Sequence, residues 1–126
     1  MSKSRRPATI LAHAGRHPRE NHGMVNPPVY HTSTVLWPTV AAMDEAHAGF
    51  EHGVYSYGRV GTPTSEAFED AVAALEGGYG AISVSSGLAA VNVALTAFVK
   101  AGDHVLITDS TYGPTRRYAD AVLSRF

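Results

Sequence analysis

The sequence predicts an α/β fold organised on a parallel sheet. From residue 64 onward the order reads helix, strand, helix, strand, helix. Both strand segments are purely apolar, and a helix separates them. Strands buried on both faces and joined by a right-handed helical crossover have this character.

Each element has its own local signal. Residues 1 to 38 show no clear period and are rich in proline, with "NPPVYHTST" among them, so they read as an extended arm or long loop. Thr39 to His47 predicts a short helix stopped by Gly49. In "TSEAFEDAVAALEGG", Phe68, Ala71, Val72 and Leu75 fall on one helical face. Thr64 or Ser65 is the expected cap, Glu66 and Glu69 suit the helix dipole, and Gly77 is the expected stop. "GAISVSSG" reads as a buried strand running into a turn. Leu88 to Lys100 is apolar nearly all round, with Asn92 and Thr96 its interior polar residues. It is expected to be a helix covered on most sides and ended by Gly102. "HVLIT" is a second buried strand, and Pro114 suits the first turn of a third helix presenting Ala119, Val122, Leu123 and Phe126. Two strands are few for such a sheet, and the last helix meets Phe126 without a stop signal. The expectation is therefore the N-terminal portion of a longer protein.

Composition bounds the function. The chain has 126 residues, 44% hydrophobic and 17% charged, which is enough to build a core. A net charge of -1 gives a general nucleic-acid or membrane-surface role no electrostatic basis. No apolar run reaches the length of a membrane span, and the basic start does not read as a signal peptide. There is no cysteine, hence neither disulfides nor thiolate metal sites, and the default location is cytoplasmic.

Three stretches could carry chemistry. "VSSGLAA", residues 84 to 90, lies where a strand ends and a helix begins, so its free amides and the helix dipole suit phosphate. Gly87 permits close approach, and Ser85 or Ser86 can add a hydroxyl. From this stretch alone, an ordinary serine cap with a packing glycine is the stronger reading. In "YSYGRVGTPT", residues 55 to 64, Arg59 offers a donor fork for an anion, and Tyr57 can add its hydroxyl. An exposed glycine-rich turn is the alternative. In "DSTYGPT", Tyr112 follows the second strand, where open α/β sheets bind ligands, and could stack on a planar ring or move a proton. A packed tyrosine in a capped turn is the alternative. His13, His17 and His22 have neither cysteine nor an acidic cluster beside them and read as solvated or loop-packed rather than metal-binding. The lysines, Lys3 and Lys100, are not placed for Schiff-base chemistry.

Taken together, residues 55 to 118 resemble the start of the Cys/Met-metabolism pyridoxal-phosphate enzymes, with "NPPVYHTST" fitting that family's arm. The resemblance implies an aminotransferase-like, fold type I large domain with a parallel sheet. Residues 1–62 would form the arm and inter-subunit loop, and residues 63–126 the start of the cofactor-binding domain. It implies pyridoxal 5'-phosphate as cofactor. Tyr57 and Arg59 match the Tyr-x-Arg pair that reaches a neighbouring subunit's cofactor phosphate. Gly87 and Leu88 match amides on the local phosphate, with Ser86 beside them, and Tyr112 matches the tyrosine over the pyridine ring. A dimer is then the minimum active unit and a homotetramer is expected.

The "YGRxGTPT" form and "STYGPTRRYADAVL" are most similar to the bacterial cystathionine β-lyases within the family, implying β-elimination of L-cystathionine. Cystathionine γ-lyase, cystathionine γ-synthase, methionine γ-lyase and sulfhydrylase chemistries are the alternatives, as is a non-catalytic truncated fragment. The family's Schiff-base lysine has no counterpart in these residues, so the 126-residue chain alone is expected to be inactive.

Overall fold

The computed structural model describes residues 6–48 and 52–126. Gly49, the expected stop of the second helix, and Lys3 lie outside them. The chain divides into two compact units, one reaching to Ile82 and the other Ser83–Phe126.

The first unit holds three helices: α1 Pro7–His13, α2 Val40–Ala48 and α3 Pro63–Glu76. The expected arm thus contains a helix, which corrects the reading of residues 1 to 38 as wholly extended. Seven residues carry no readable period; α1 starts on Pro7 in the first turn and packs on α3. In α2, the Thr39 hydroxyl accepts from the Ala42 amide at 3.1 Å.

The first turn of α3 is the most heavily bonded part of the unit. Its cap is Thr62, not Thr64 or Ser65: with Pro63 fixed at the first helical position, the capping residue must precede it. Thr62 and Ser65 form a reciprocal capping box, in which the Ser65 hydroxyl accepts from the Thr62 amide at 2.9 Å and the Ser65 amide donates to Thr62 Oγ1. Thr62 is only 8% exposed. The Thr64 hydroxyl faces the arm, accepting from the Tyr30 amide at 2.8 Å and donating to the Pro28 carbonyl at 2.9 Å. Gly77, left-handed at φ 65°, ends α3 as expected.

The second unit holds α4 Gly87–Thr96, α5 Gly113–Ala121 and a short 3-10 helix, Leu123–Arg125. Helices α4 and α5 pack together, and Thr115 is buried. Helix α4 is shorter than the expected Leu88–Lys100. The Thr96 hydroxyl donates back to the Asn92 carbonyl at 2.8 Å, and the Lys100 amide goes to the Asp103 carboxylate at 2.9 Å instead of a helical carbonyl. The last helix also breaks earlier than its apolar spacing predicts. After Ala121 the chain tightens into the 3-10 turn, and the Phe126 carbonyl accepts from the Gly102 amide at 2.8 Å.

The two strands expected at "GAISVSSG" and "HVLIT" are not formed among the described residues. The only bridge there is an antiparallel pair, Thr34 with Tyr57. A strand of a parallel sheet exists through the ladder it shares with neighbours, and neither segment has one. The apolar helical faces are likewise uncovered: no apolar side chain is buried among the described residues, and Phe68 of α3 and Val93 of α4 are 61% and 50% exposed. The expectation that α4 is covered on most sides therefore does not hold for these residues.

Removing the cap hydroxyl in Thr62→Ala should cost about 1 kcal/mol. Amide exchange at Ser65 will accelerate accordingly, whereas Thr62→Ser will keep the protection.

Candidate functional site

In the first unit, the loop between Gly53 and Gly61 presents Tyr57 and Arg59. Three sets of bonds hold it. At its start, the Gly53 amide donates to Glu66 Oε1 at 2.7 Å, and the Tyr55 hydroxyl donates to Glu66 Oε2. In its middle, the Gly58 amide donates to the Ser33 carbonyl at 2.7 Å, beside the Thr34–Tyr57 bridge. At its end, the Val60 amide closes a turn onto the Tyr57 carbonyl at 2.8 Å, just before the Thr62 cap. Gly58 must lack a side chain, because a Cβ there would come within 1.9 Å of the Thr32 carbonyl oxygen. The glycine between Tyr57 and Arg59 thus lets the arm lie against the loop.

The Arg59 guanidinium lies 5.9 Å from the centre of the Tyr57 ring, in cation–π range. Both side chains are exposed, and among the described residues no hydrogen bond occupies either head group. The pair is a presented cation and hydroxyl, which suits an oxyanion.

Beside the loop, His52 lies between two carboxylates of α3, with Nε2 3.0 Å from Asp70 Oδ1 and Nδ1 3.3 Å from Glu66 Oε1. Its bond to Asp70, followed by the charges of Asp70 and Glu66, raises its pKa above the ordinary 6.5. Burial, followed by the bond to Glu66, raises the pKa of Tyr55 well above the ordinary tyrosine value, so Tyr55 stays a neutral donor. The cluster borders a cleft of ≈ 420 Å³ that also takes in His17, Glu20 and Tyr30. Sequence reading missed this cluster. Glu66 was assigned to the helix dipole alone, and His52 and Asp70 carry no motif.

In the second unit, Ser86, Gly87 and Leu88 form the start of α4. Ser86 is the cap, its hydroxyl accepting from the Ala89 amide at 3.1 Å. The amides of Gly87 and Leu88 precede the helix's own ladder and face outward with the positive end of its dipole. A Cβ on Gly87 would meet nothing within 4 Å, so packing within the chain does not explain the glycine. An open, backbone-lined helix start fits an approaching phosphate. Tyr112 is the residue immediately before α5 and is 67% exposed, with no cap bond from its side chain. The expected residues thus form two groups, one in each unit.

The remaining candidates stay apart from these groups. His13 ends α1, and His17 sits 4.0 Å from Glu20. Among the described residues, no group of three or more His, Asp or Glu side chains could hold a metal ion, and no helix is long and apolar enough to cross a membrane. Lys100 is ion-paired with Asp103 at 3.2 Å.

An open helix start lies in one unit with an exposed tyrosine, and a presented Tyr-x-Arg pair lies in the other. The model of the Cys/Met metabolism PLP-dependent enzymes matches residues 8–126, and the chain belongs to that family. Membership implies the fold type I architecture and pyridoxal 5'-phosphate as cofactor. Among similar proteins is a putative cystathionine beta-lyase of Rhizobium johnstonii, 50% identical over 93% of this chain and 28% of that protein. An L-alanine/L-glutamate racemase of Wolbachia pipientis wMel is 42% identical over 93% of this chain and 31% of its own length. A cystathionine gamma-synthase of Mycobacterium tuberculosis is 42% identical over 95% and 29%. The chain therefore spans less than a third of the length of these relatives.

Because His52 is held as its cation, its contribution is complete below pH 6.5 and is lost as pH rises through the raised value. Nuclear magnetic resonance titration of the His52 ring should give a midpoint above 6.5, and Asp70→Asn should bring it back toward that value.

Proposed function

We propose that this chain supplies the phosphate-binding parts of a pyridoxal-phosphate carbon-sulfur lyase that cleaves L-cystathionine by β-elimination. The observation that carries the reading is the pairing of the open Ser86-Gly87-Leu88 helix start with the presented Tyr57 and Arg59, in a chain 50% identical to a putative cystathionine beta-lyase. Residues 1–62 serve as arm and inter-subunit loop, and residues 63–126 begin the cofactor-binding domain, whose parallel sheet takes in the "GAISVSSG" and "HVLIT" segments.

In this reading the amides of Gly87 and Leu88 and the Ser86 hydroxyl hold the phosphate of their own subunit's cofactor. Tyr57 and Arg59 donate to the phosphate of a neighbouring copy, making a homo-oligomer the working unit. Tyr112 would stack against the cofactor ring and carry a proton at its hydroxyl oxygen. The bound cofactor supplies an electron sink for the charge developing at the substrate's Cα. The Cα proton is removed and the Cβ–S bond breaks. Homocysteine leaves with a proton on sulfur, and water takes the three-carbon remainder to pyruvate and ammonia. The family's Schiff-base lysine has no counterpart among these residues, so on this reading the 126 residues by themselves do not turn over.

A second reading, a different reaction at the same site, is favoured by the 42% identities to a cystathionine gamma-synthase and to an L-alanine/L-glutamate racemase. Product analysis separates the two. With cystathionine, the holoenzyme should release homocysteine and pyruvate; cysteine with 2-oxobutyrate, or intact cystathionine alongside racemisation of supplied L-alanine, overturns the β-lyase reading. Arg59→Ala should weaken pyridoxal-phosphate binding by about 10- to 100-fold, the range of a hydrogen bond to a charged group.

A further inference from the structure

The Glu66 carboxylate uses both oxygens on the loop that presents Tyr57 and Arg59. Oε1 takes the Gly53 amide and Oε2 the Tyr55 hydroxyl. The Glu66 side chain is 19% exposed, and its bond to Tyr55 is partly buried, where competing water is reduced. Tyr55 stands two residues before Tyr57 and four before Arg59. Beyond it the backbone is fixed by Gly58 on Ser33 and by the Thr62 cap. Without Glu66, the stretch from Gly53 to Tyr57 keeps its ties to the arm but loses those to the helix.

We propose that Glu66 is the positioning residue for Tyr57 and Arg59, clamping their loop to α3 through Gly53 and Tyr55. The proposal rests on the reading of Tyr57 and Arg59 as phosphate contacts. Glu66 makes no contact with the phosphate; its negative charge would repel one. It acts by fixing where the guanidinium starts from. A misplacement on the order of 1 Å at a positioned group is costly. His52 and Asp70 support the clamp from the side, and His17 and Glu20 face the same cleft.

The test is retention of pyridoxal phosphate by the purified holoenzyme, followed by absorbance, with affinity for phosphate-free pyridoxal measured alongside. Glu66→Ala should weaken the phosphorylated cofactor about tenfold, as outer positioning groups do, and leave pyridoxal unchanged. Glu66→Gln, which keeps an oxygen for the Gly53 amide, should restore most of the loss. Added to a Tyr57→Phe, Arg59→Ala double variant, Glu66→Ala should cost nothing further, because it acts only through those two contacts. Additive losses, or equal losses for pyridoxal and pyridoxal phosphate, overturn the positioning role. If Glu66→Ala does not fold, Tyr55→Phe removes a single hydroxyl and enters the same cycle with the same two outcomes. If Arg59→Ala leaves cofactor affinity unchanged, the phosphate reading has failed, and the clamp has no site to serve.

Discussion

Three stretches of chain find hydrogen-bond partners on the first turn of α3. The Gly53–Tyr55 strand of the loop ends on Glu66, the arm from Pro28 to Tyr30 ends on the Thr64 hydroxyl, and the helix's own free amides end on Thr62. A helix start normally leaves its first donors seeking partners. Here the side chains of that same turn reach outward and satisfy the backbone of other segments. The short motif "GTPTSE" is therefore a junction, and the presentation of Tyr57 and Arg59 depends on it.

The junction also explains why the loop contains large residues. Tyr55 is a structural donor, held neutral by burial and by Glu66. Tyr57 gives Arg59 an aromatic face to lie over, and Gly58 keeps the space between them clear for the arm. On this account Tyr57 and Arg59 are the side chains that meet a ligand, while Tyr55 and Gly58 set their posture.

Much of this was legible in the sequence wherever the cause was local. The face of α3, its Gly77 stop and the Pro114 start follow from spacing and backbone preference over a few residues. The serine-capped helix start at Ser86 was legible for the same reason. The errors share another cause. The seven residues of α1 have no period, and their helix is tied to packing on α3. Glu66 looks like a dipole partner until the chain folds back and places Gly53 and Tyr55 against it. The apolar runs at "GAISVSSG" and "HVLIT" show what they would bury, but a ladder needs a neighbour that no local pattern names. Helix α4 stopped early because Thr96 and Asp103 captured backbone groups that its apolar pattern assigned to the helix.

The bonds at the junction also differ in how far along the chain they reach. Tyr55 and Glu66 are 11 residues apart, whereas Thr64 and Pro28 are 36 apart. The entropy of closing a flexible loop grows with the logarithm of its length, so the longer closure costs about 1 kcal/mol more. Closing the clamp therefore costs less chain entropy than docking the arm. At Gly58 the absence of a side chain leaves the room that the Thr32 carbonyl takes.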